Sequence, residues 1–443
     1  MSVPTWYASR ALRRAVLLTG LLTIAAVVLG RVDLVVFATP FAVGAVWGLR
    51  HRRGAVPVVE VAAGAPDAVA SGAATVEGGP AAGLISVANS DQSGLDLVVV
   101  RTSTSEWLDL PGADRPHVVA VPPGEVADLE LTGVARRWGR HRFGPVGMTA
   151  STGDGLLVAT VPGAATAAVK AYPVTEPFEA PEAMPRAAGL VGSHRSRRPG
   201  EGGELSGVRR YAPGDRLRRI DWRVSLRTRQ LHVVATLSDR DAEVVLVLDL
   251  LAEAGRPGGV PGAGETGASV LDVTVRAAAA VAEHYLQRGD RVSLVEYGPA
   301  GRRLRPASGR RQYLTILEWL LDVRPSGAME PTYEQVLAPL PPNALVVVLT
   351  PVVDRRTAPM LARLARAGRF VVAVDTLPAD IPPIHSGRDG DAPYRLWRLE
   401  RENTIGALRE HGVPVVAWAG AGSLDRVLRD VARAAAAPRV GFS

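Results

Sequence analysis

Residues Ala242–Leu250 read AEVVLVLDL, an apolar run from Val244 to Leu248 that ends on a carboxylate, Asp249. The run is too short for a helix and rich in β-branched residues, so it predicts a strand buried on both faces. Downstream of it the pattern alternates. SVLDVTVRAAAAVAEHYLQR (269–288), RRQYLTILEWLLDV (310–323), TYEQVLAPL (332–340), TAPMLARLARAG (357–368) and AGSLDRVLRDVARAAA (421–436) carry helical periodicity. RVSLVEYG (291–298), NALVVVLTPV (343–352), RFVVAVDTL (369–377) and VPVVAWAG (413–420) read as strands between them. LHVVATLS (231–238) reads as a further strand just upstream. Such alternation predicts a parallel sheet covered on both faces, wound with right-handed crossovers into a doubly wound α/β domain over residues 239–443.

Outward from that strand, Arg209–Leu231 reads RRYAPGDRLRRIDWRVSLRTRQL. It sets eight arginines against two aspartates around a Pro213-Gly214-Asp215 turn. Proline fixes φ, glycine tolerates positive φ, and the aspartate accepts a bond from the backbone two residues on. Two readings stand for this segment, residues 209–238. In one, Asp215 and Asp221 pair with neighbouring arginines while Trp222 packs as core, clasping the segment to the sheet. In the other, Arg209, Arg210, Arg216, Arg218, Arg219 and Arg223 form a partner-binding surface, since arginine makes bidentate bonds to carboxylates and phosphates.

This pairing resembles the bacterial DUF-58 family, whose members carry Y-x-P-G-D-x-x-R-x-I-D-W-x-x-S ahead of a von Willebrand factor A-like domain. Tyr211, Pro213, Gly214, Asp215, Arg218, Ile220, Asp221, Trp222 and Ser225 carry the likeness. The resemblance implies a Rossmann-like von Willebrand A-type fold downstream and association with a MoxR-type AAA+ ATPase in complex assembly or maturation. It also implies a place for a metal-ion-dependent adhesion site, D-x-S-x-S with a distant Thr and Asp. Here Asp249 is present, but Leu251 and Glu253 stand at the serine places. A leucine side chain offers a hard cation no oxygen. Gly327-Ala328-Met329-Glu330-Pro331-Thr332 replaces the usual G-T-D, and Thr350-Pro351 the late S-D. The metal site is expected to be degenerate, with Glu253, Thr332 and Asp354 the residues from which one could be rebuilt.

The N-terminus has a different character. AVLLTGLLTIAAVVLG (15–30) and LVVFATPFAVGAVWGL (34–49) carry no charge. Each spans about 24 Å as a helix, against a hydrocarbon core of about 30 Å. Flanking arginines that snorkel make up the difference, so residues 1–53 are expected to form a transmembrane hairpin with spans near 12–31 and 32–49. A signal peptide shares the basic start and first apolar run, but no small-residue cleavage site comes after it. Arg10, Arg13 and Arg14 precede the runs, and Arg50, Arg52 and Arg53 follow. The positive-inside rule then predicts a multi-pass protein of the cytoplasmic membrane with its soluble domains in the cytoplasm.

Between these ends, residues 54–172 hold short alternating runs such as GLISVANS (83–90), LDLVVVRT (95–102) and VADLELTG (126–133), bounded by Gly and Pro. They predict a β-sandwich. Arg136–Val146, RRWGRHRFGPV, is similar to the R-G-x-x-x-x-G-P strand of the same family, whereas the next family element, D-P-L-G-L, is degenerate at Ser151–Leu156. Residues 173–208, rich in Pro, Gly and Arg, read as a linker.

Composition narrows the function. Of 51 basic residues only Lys170 is a lysine, so the pI of about 10.2 reflects a chain-wide arginine bias and argues for no polyanion. The absence of cysteine excludes disulfides and thiolate chemistry. P-loop, H-E-x-x-H and G-x-S-x-G motifs do not occur, and the eight histidines show no ligand spacing. The expectation is a non-enzymatic membrane scaffold that needs no cofactor and binds a protein partner, with nucleic acid not expected. Anionic-lipid or nucleic-acid binding through the arginines is the alternative, and a metal-dependent enzyme a distant third.

Overall fold

The computed structural model describes residues 5–50, 56–91, 94–175, 199–211, 220–237, 243–258, 268–298, 301–325, 340–341, 344–379, 381 and 388–418. The chain is a mixed α/β protein with an N-terminal apolar helix and several sheets. It divides into two units, Met1–Tyr172 and Pro173–Ser443.

In the first unit, strand β1 (Trp6–Ala8) leads into helices α1 (Arg10–Leu29) and α2 (Asp33–Arg50). Ser9 caps α1, its hydroxyl accepting from the Leu12 amide at 3.2 Å, and Gly30 ends it in the left-handed conformation. The tight turn carries Arg31 and Asp33, paired at 2.7 Å and so neutral together. α1 is long and apolar enough to cross a membrane, and it leaves Leu17, Leu21, Ile24, Val27 and Val28 exposed. α2 falls short by the same measure, its apolar part running Asp33–Gly48 around Pro40. The expected pair of spans is thus met in length and apolarity by the first helix alone.

The rest of this unit is two sheets sharing one core, antiparallel throughout except where β10 runs parallel to the short β3. One sheet orders β2 (Val58–Gly64), β4 (Pro80–Ala88), β8 (Val126–Ala135) and β6 (Leu108–Asp109). The other orders β1, β10 (Leu157–Tyr172), β9 (Gly139–Thr152), β5 (Leu95–Arg101) and β7 (His117–Val121), with β3 (Thr75–Val76) beside the end of β10. Alternating residues turn inward along β7 and along most of β8 and β9, as period-two patterning requires. Ile85 and Leu131 meet Val98, Val100, Phe143 and Met148 in the core. The Phe143 ring lies against Gly83, where a Cβ would come within 2.5 Å of it, so only glycine fits. β1, from before the helices, pairs antiparallel with β10 from far beyond them, Trp6 opposite Ala159 and Ala8 opposite Leu157.

The second unit opens with a two-stranded sheet of β11 (Pro199–Arg210) and β12 (His232–Leu237). The stretch read as linker therefore contains a strand at its end. Backbone pairing with β12 holds it despite its glycines, and the register slips between Gly200 and Leu205 and again before Gly207. β12 joins β11 rather than the main sheet.

That main sheet runs β15 (Arg303–Ala307), β14 (Arg291–Tyr297), β13 (Glu243–Asp249), β16 (Leu345–Thr350), β17 (Phe370–Asp375), β18 (Val415–Ala417). All neighbours are parallel except the β14–β15 hairpin. Among the described residues four helices accompany it: α4 (Val270–Gln287), α5 (Gly309–Leu320), α6 (Thr357–Arg366) and α7 (Arg388–Glu410). A shorter helix, α3 (Trp222–Thr228), precedes β12. α4 starts at a capping box in which Ser269 and Asp272 exchange side-chain and backbone bonds at 3.2 Å. Its alanines, Ala277 to Ala282, are buried, letting the helix sit close against its neighbours. The helices expected at 332–340 and 421–436 lie outside the described residues, Leu340 apart.

Candidate functional site

β13 sits between β14 and β16, so the chain winds to one side of it through β14 and returns to its other side at β16. The carboxyl ends of the strands at such a topological switch are where open α/β sheets place ligands. Asp249 ends β13 there and is 1% exposed. Its Oδ2 accepts from the Thr350 hydroxyl at the end of β16 and from the Thr357 hydroxyl at the start of α6, both at 2.7 Å. Its Oδ1 accepts from the Leu251 amide at 3.1 Å. Burial pushes the Asp249 carboxyl above its ordinary range, with the Thr350, Thr357 and Leu251 bonds opposing the shift. Thr350 also accepts from the Val352 amide at 2.9 Å, and Val352 adopts φ 51°, a costly conformation for a β-branched residue.

The other expected metal-site residues are engaged elsewhere. Glu253 is exposed on the loop after β13, its Oε1 3.4 Å from the Leu271 amide. Asp354 forms a fork with Arg356, at 2.8 and 2.7 Å, which holds its carboxyl below the usual range. Thr332 lies outside the described residues. Among the described residues no three acidic or histidine side chains converge on a metal-sized space. Among the described residues the donor set does not fit an adhesion-site cation: Leu251 supplies only a backbone amide, and Asp249 is buried beside two fully buried threonines. Thr357 escaped the sequence reading, although a threonine opening an apolar-periodic helix after a strand end marks a helix start near the carboxyl ends of the strands.

The arginine segment is described at both ends, and Pro213, Gly214, Asp215, Arg216, Arg218 and Arg219 fall outside. Arg209 and Arg210 end β11, with Arg210 exposed. The Tyr211 amide donates to the Leu231 carbonyl at 2.9 Å. Ile220 is buried and bridges to Val233. Asp221 is the N-cap of α3, accepting from the Val224 amide at 3.0 Å, and its own amide donates to the His232 carbonyl at 2.9 Å. Ser225 is buried, and its hydroxyl accepts from the His232 amide at 2.8 Å. These residues clasp α3 to β12, but not as the clasp reading had it. Asp221 turns its carboxylate to the backbone of its own helix, and Trp222 is 62% exposed. Trp222 occupies the first helical position, a turn before Ser225, and its indole is open to solvent while Ser225 is buried.

Comparison with known proteins agrees with the motif. The family described as "Protein of unknown function DUF58" matches residues 207–383. Uncharacterized proteins of Mycobacterium bovis and of two Mycobacterium tuberculosis strains are each 35% identical over 129 residues, covering 29% of this chain. The match spans 38% of the length of those curated relatives. Among solved structures, the crystal structure of a CARDB domain from Pyrococcus furiosus, in complex with di-metal ions, aligns over 27% of this chain and 94% of its own. It does so at 17% identity and a TM-score of 0.19. The solution structure of the same domain aligns with a TM-score of 0.17.

Proposed function

We propose that this chain is a membrane-tethered, non-enzymatic scaffold. In this reading its second unit is a von Willebrand A-like domain that presents a protein-binding surface to a MoxR-type AAA+ ATPase in complex assembly or maturation. The observation that carries the reading is the state of Asp249. At the switch point, where an α/β sheet holds a substrate or a metal, this carboxylate is saturated by two threonine hydroxyls and one amide. What is left at that end of the sheet is surface. The sheet order, with one antiparallel edge strand beside five parallel ones, supports the von Willebrand A-like reading.

The β1–β10 pairing supports a two-span tether. Residues 6–8 and 157–159 share a sheet, so the chain between them crosses any bilayer an even number of times. A single crossing by α1 would separate the paired strands; α2 must then cross as well, tilted or in a locally thinned bilayer. A cleaved leader ending after α1 would take β1 with it. Arginines outside both ends of the hairpin, and the neutral Arg31–Asp33 turn, favour both units lying in the cytoplasm.

The test is co-purification of the full chain in detergent with a MoxR-type ATPase of the same cell, with magnesium or with excess chelator. Equal capture in both supports the scaffold. Capture that needs magnesium at the level of this chain, abolished by Asp249→Ala in a folded protein, would mean that a metal site operates and would sink the reading.

A further inference from the structure

α3 is held to β12 by one side only. Ser225 and Thr228 bond to His232 or its backbone. Away from that contact Trp222 and Leu226, one helical turn apart, are 62% and 78% exposed. Arg223 and Arg227 lie beside them, also exposed, and Arg229 comes next at the left-handed C-cap. The outward face thus divides into an apolar half and a basic half. That division suits a bilayer surface, where an indole sits at headgroup depth and guanidinium groups reach lipid phosphates.

We propose that this face of α3 docks on the anionic headgroup layer of the membrane, with Trp222 and Leu226 entering the interface and Arg223 and Arg227 contacting phosphates. The inference rests on the membrane tether proposed for this chain and takes Arg223 out of the protein-facing set. Size favours a bilayer over a protein as occupant. α3 is about 10 Å long and about 10 Å across, so its outward face offers on the order of 100 Å² against the roughly 800 Å² each partner contributes to a stable protein interface. A weak basic-apolar patch suffices at a membrane when a second anchor is present, because the tether makes docking intramolecular. Residues 173–198 have a contour of up to about 90 Å, enough to allow it.

The chain has no cysteine, so Leu226→Cys places a single thiol on the exposed face. The full-length variant carries a spin label there and is reconstituted in nanodiscs of phosphatidylcholine alone or with phosphatidylglycerol. In anionic discs the label should meet oxygen more readily than a water-soluble nickel chelate, and the reverse should hold in zwitterionic discs. Arg223→Ala with Arg227→Ala, in the same labelled chain, should lower the docked population ratio about thirtyfold. A label at Leu314→Cys, exposed on α5, should stay open to nickel throughout. A 226 label open to nickel in both compositions overturns the proposal while leaving the tether intact. One shielded from both probes whatever the lipid means a protein covers α3, and also overturns it. Protein that fails to co-elute with discs overturns the tether, and the proposal with it.

Discussion

Asp249 shows what a single side chain can settle and what its letter conceals. Its place at the end of a buried strand was legible, because AEVVLVLDL has no other reading that satisfies both length and apolarity. Its partners were not, because Thr350 and Thr357 lie a hundred residues on and reach it only through the parallel pairing of β13 with β16. Thr357→Val should remove one donor to a buried carboxylate and lower stability by about 1–3 kcal/mol, read as a shift in the urea midpoint. The pH dependence has a definite sign. The folded-state pKa of Asp249 is raised above its ordinary value of 3.8, so between the two values the folded chain binds the extra proton. This contribution to stability therefore falls as pH rises from about 4. Asp249→Asn lacks that dependence, so its stability relative to the parent should improve with pH, measured as thermal midpoints from about pH 4 to 7. Parallel profiles would show that the carboxyl titrates as it does in the unfolded chain. Trp222 gives the opposite lesson: a tryptophan amid arginines reads as core by composition, but the first position of a short helix turned it outward.

At the scale of elements, α3 separates what caps from what merely rides on it. Asp221→Ala removes the N-cap bond and should cost about 1 kcal/mol, whereas Trp222→Ala should stay within about 0.5 kcal/mol, as an exposed residue does. Both are checked by melting the two variants side by side, and the reverse ranking would show the indole packed. In the first unit, Gly83→Ala drives a methyl into the Phe143 ring across the core. It should destabilise the two-sheet unit by about 1–3 kcal/mol, seen as a lower midpoint for that unit, and Phe143→Leu should restore part of the loss. Periodicity located most strands and helices of the main sheet, since 3.6- and 2-residue patterns survive in a chain rich in alanine and valine. It missed β11, whose glycines carry no pattern, the short edge strand β15, and α7, in whose sequence RDGDAPYRLWRLERENTIGALRE nearly half the residues before Ile405 are charged, and only Ile405 and Leu408 reach the core.

For the molecule as a whole, the sequence marked a helical pair at one end and an α/β unit at the other. The fact that ties the N-terminus into a later sheet was invisible, because Trp6–Ala8 is too short to read as a strand. Topology has a direct readout: alkaline phosphatase fused after Ser443 should be inactive and a cytosolic reporter at the same place bright. A bright phosphatase would reverse the orientation. Deleting residues 1–8 should lower the stability of the first unit while leaving the helices in the membrane, shown by limited proteolysis beside carbonate extraction. The pairing of β1 with β10 also orders events during synthesis. The first strand off the ribosome cannot find its partner until residue 159 has been made, which at ~5–20 residues per second is on the order of ten seconds later. Under the proposed two-span tether, insertion of the helices would fall within that interval, and the nascent chain would be committed to the lipid before its sheet could close. On that proposal, a defect in insertion would surface as an unfinished sheet edge, a substrate for proteases rather than a misplaced but folded protein.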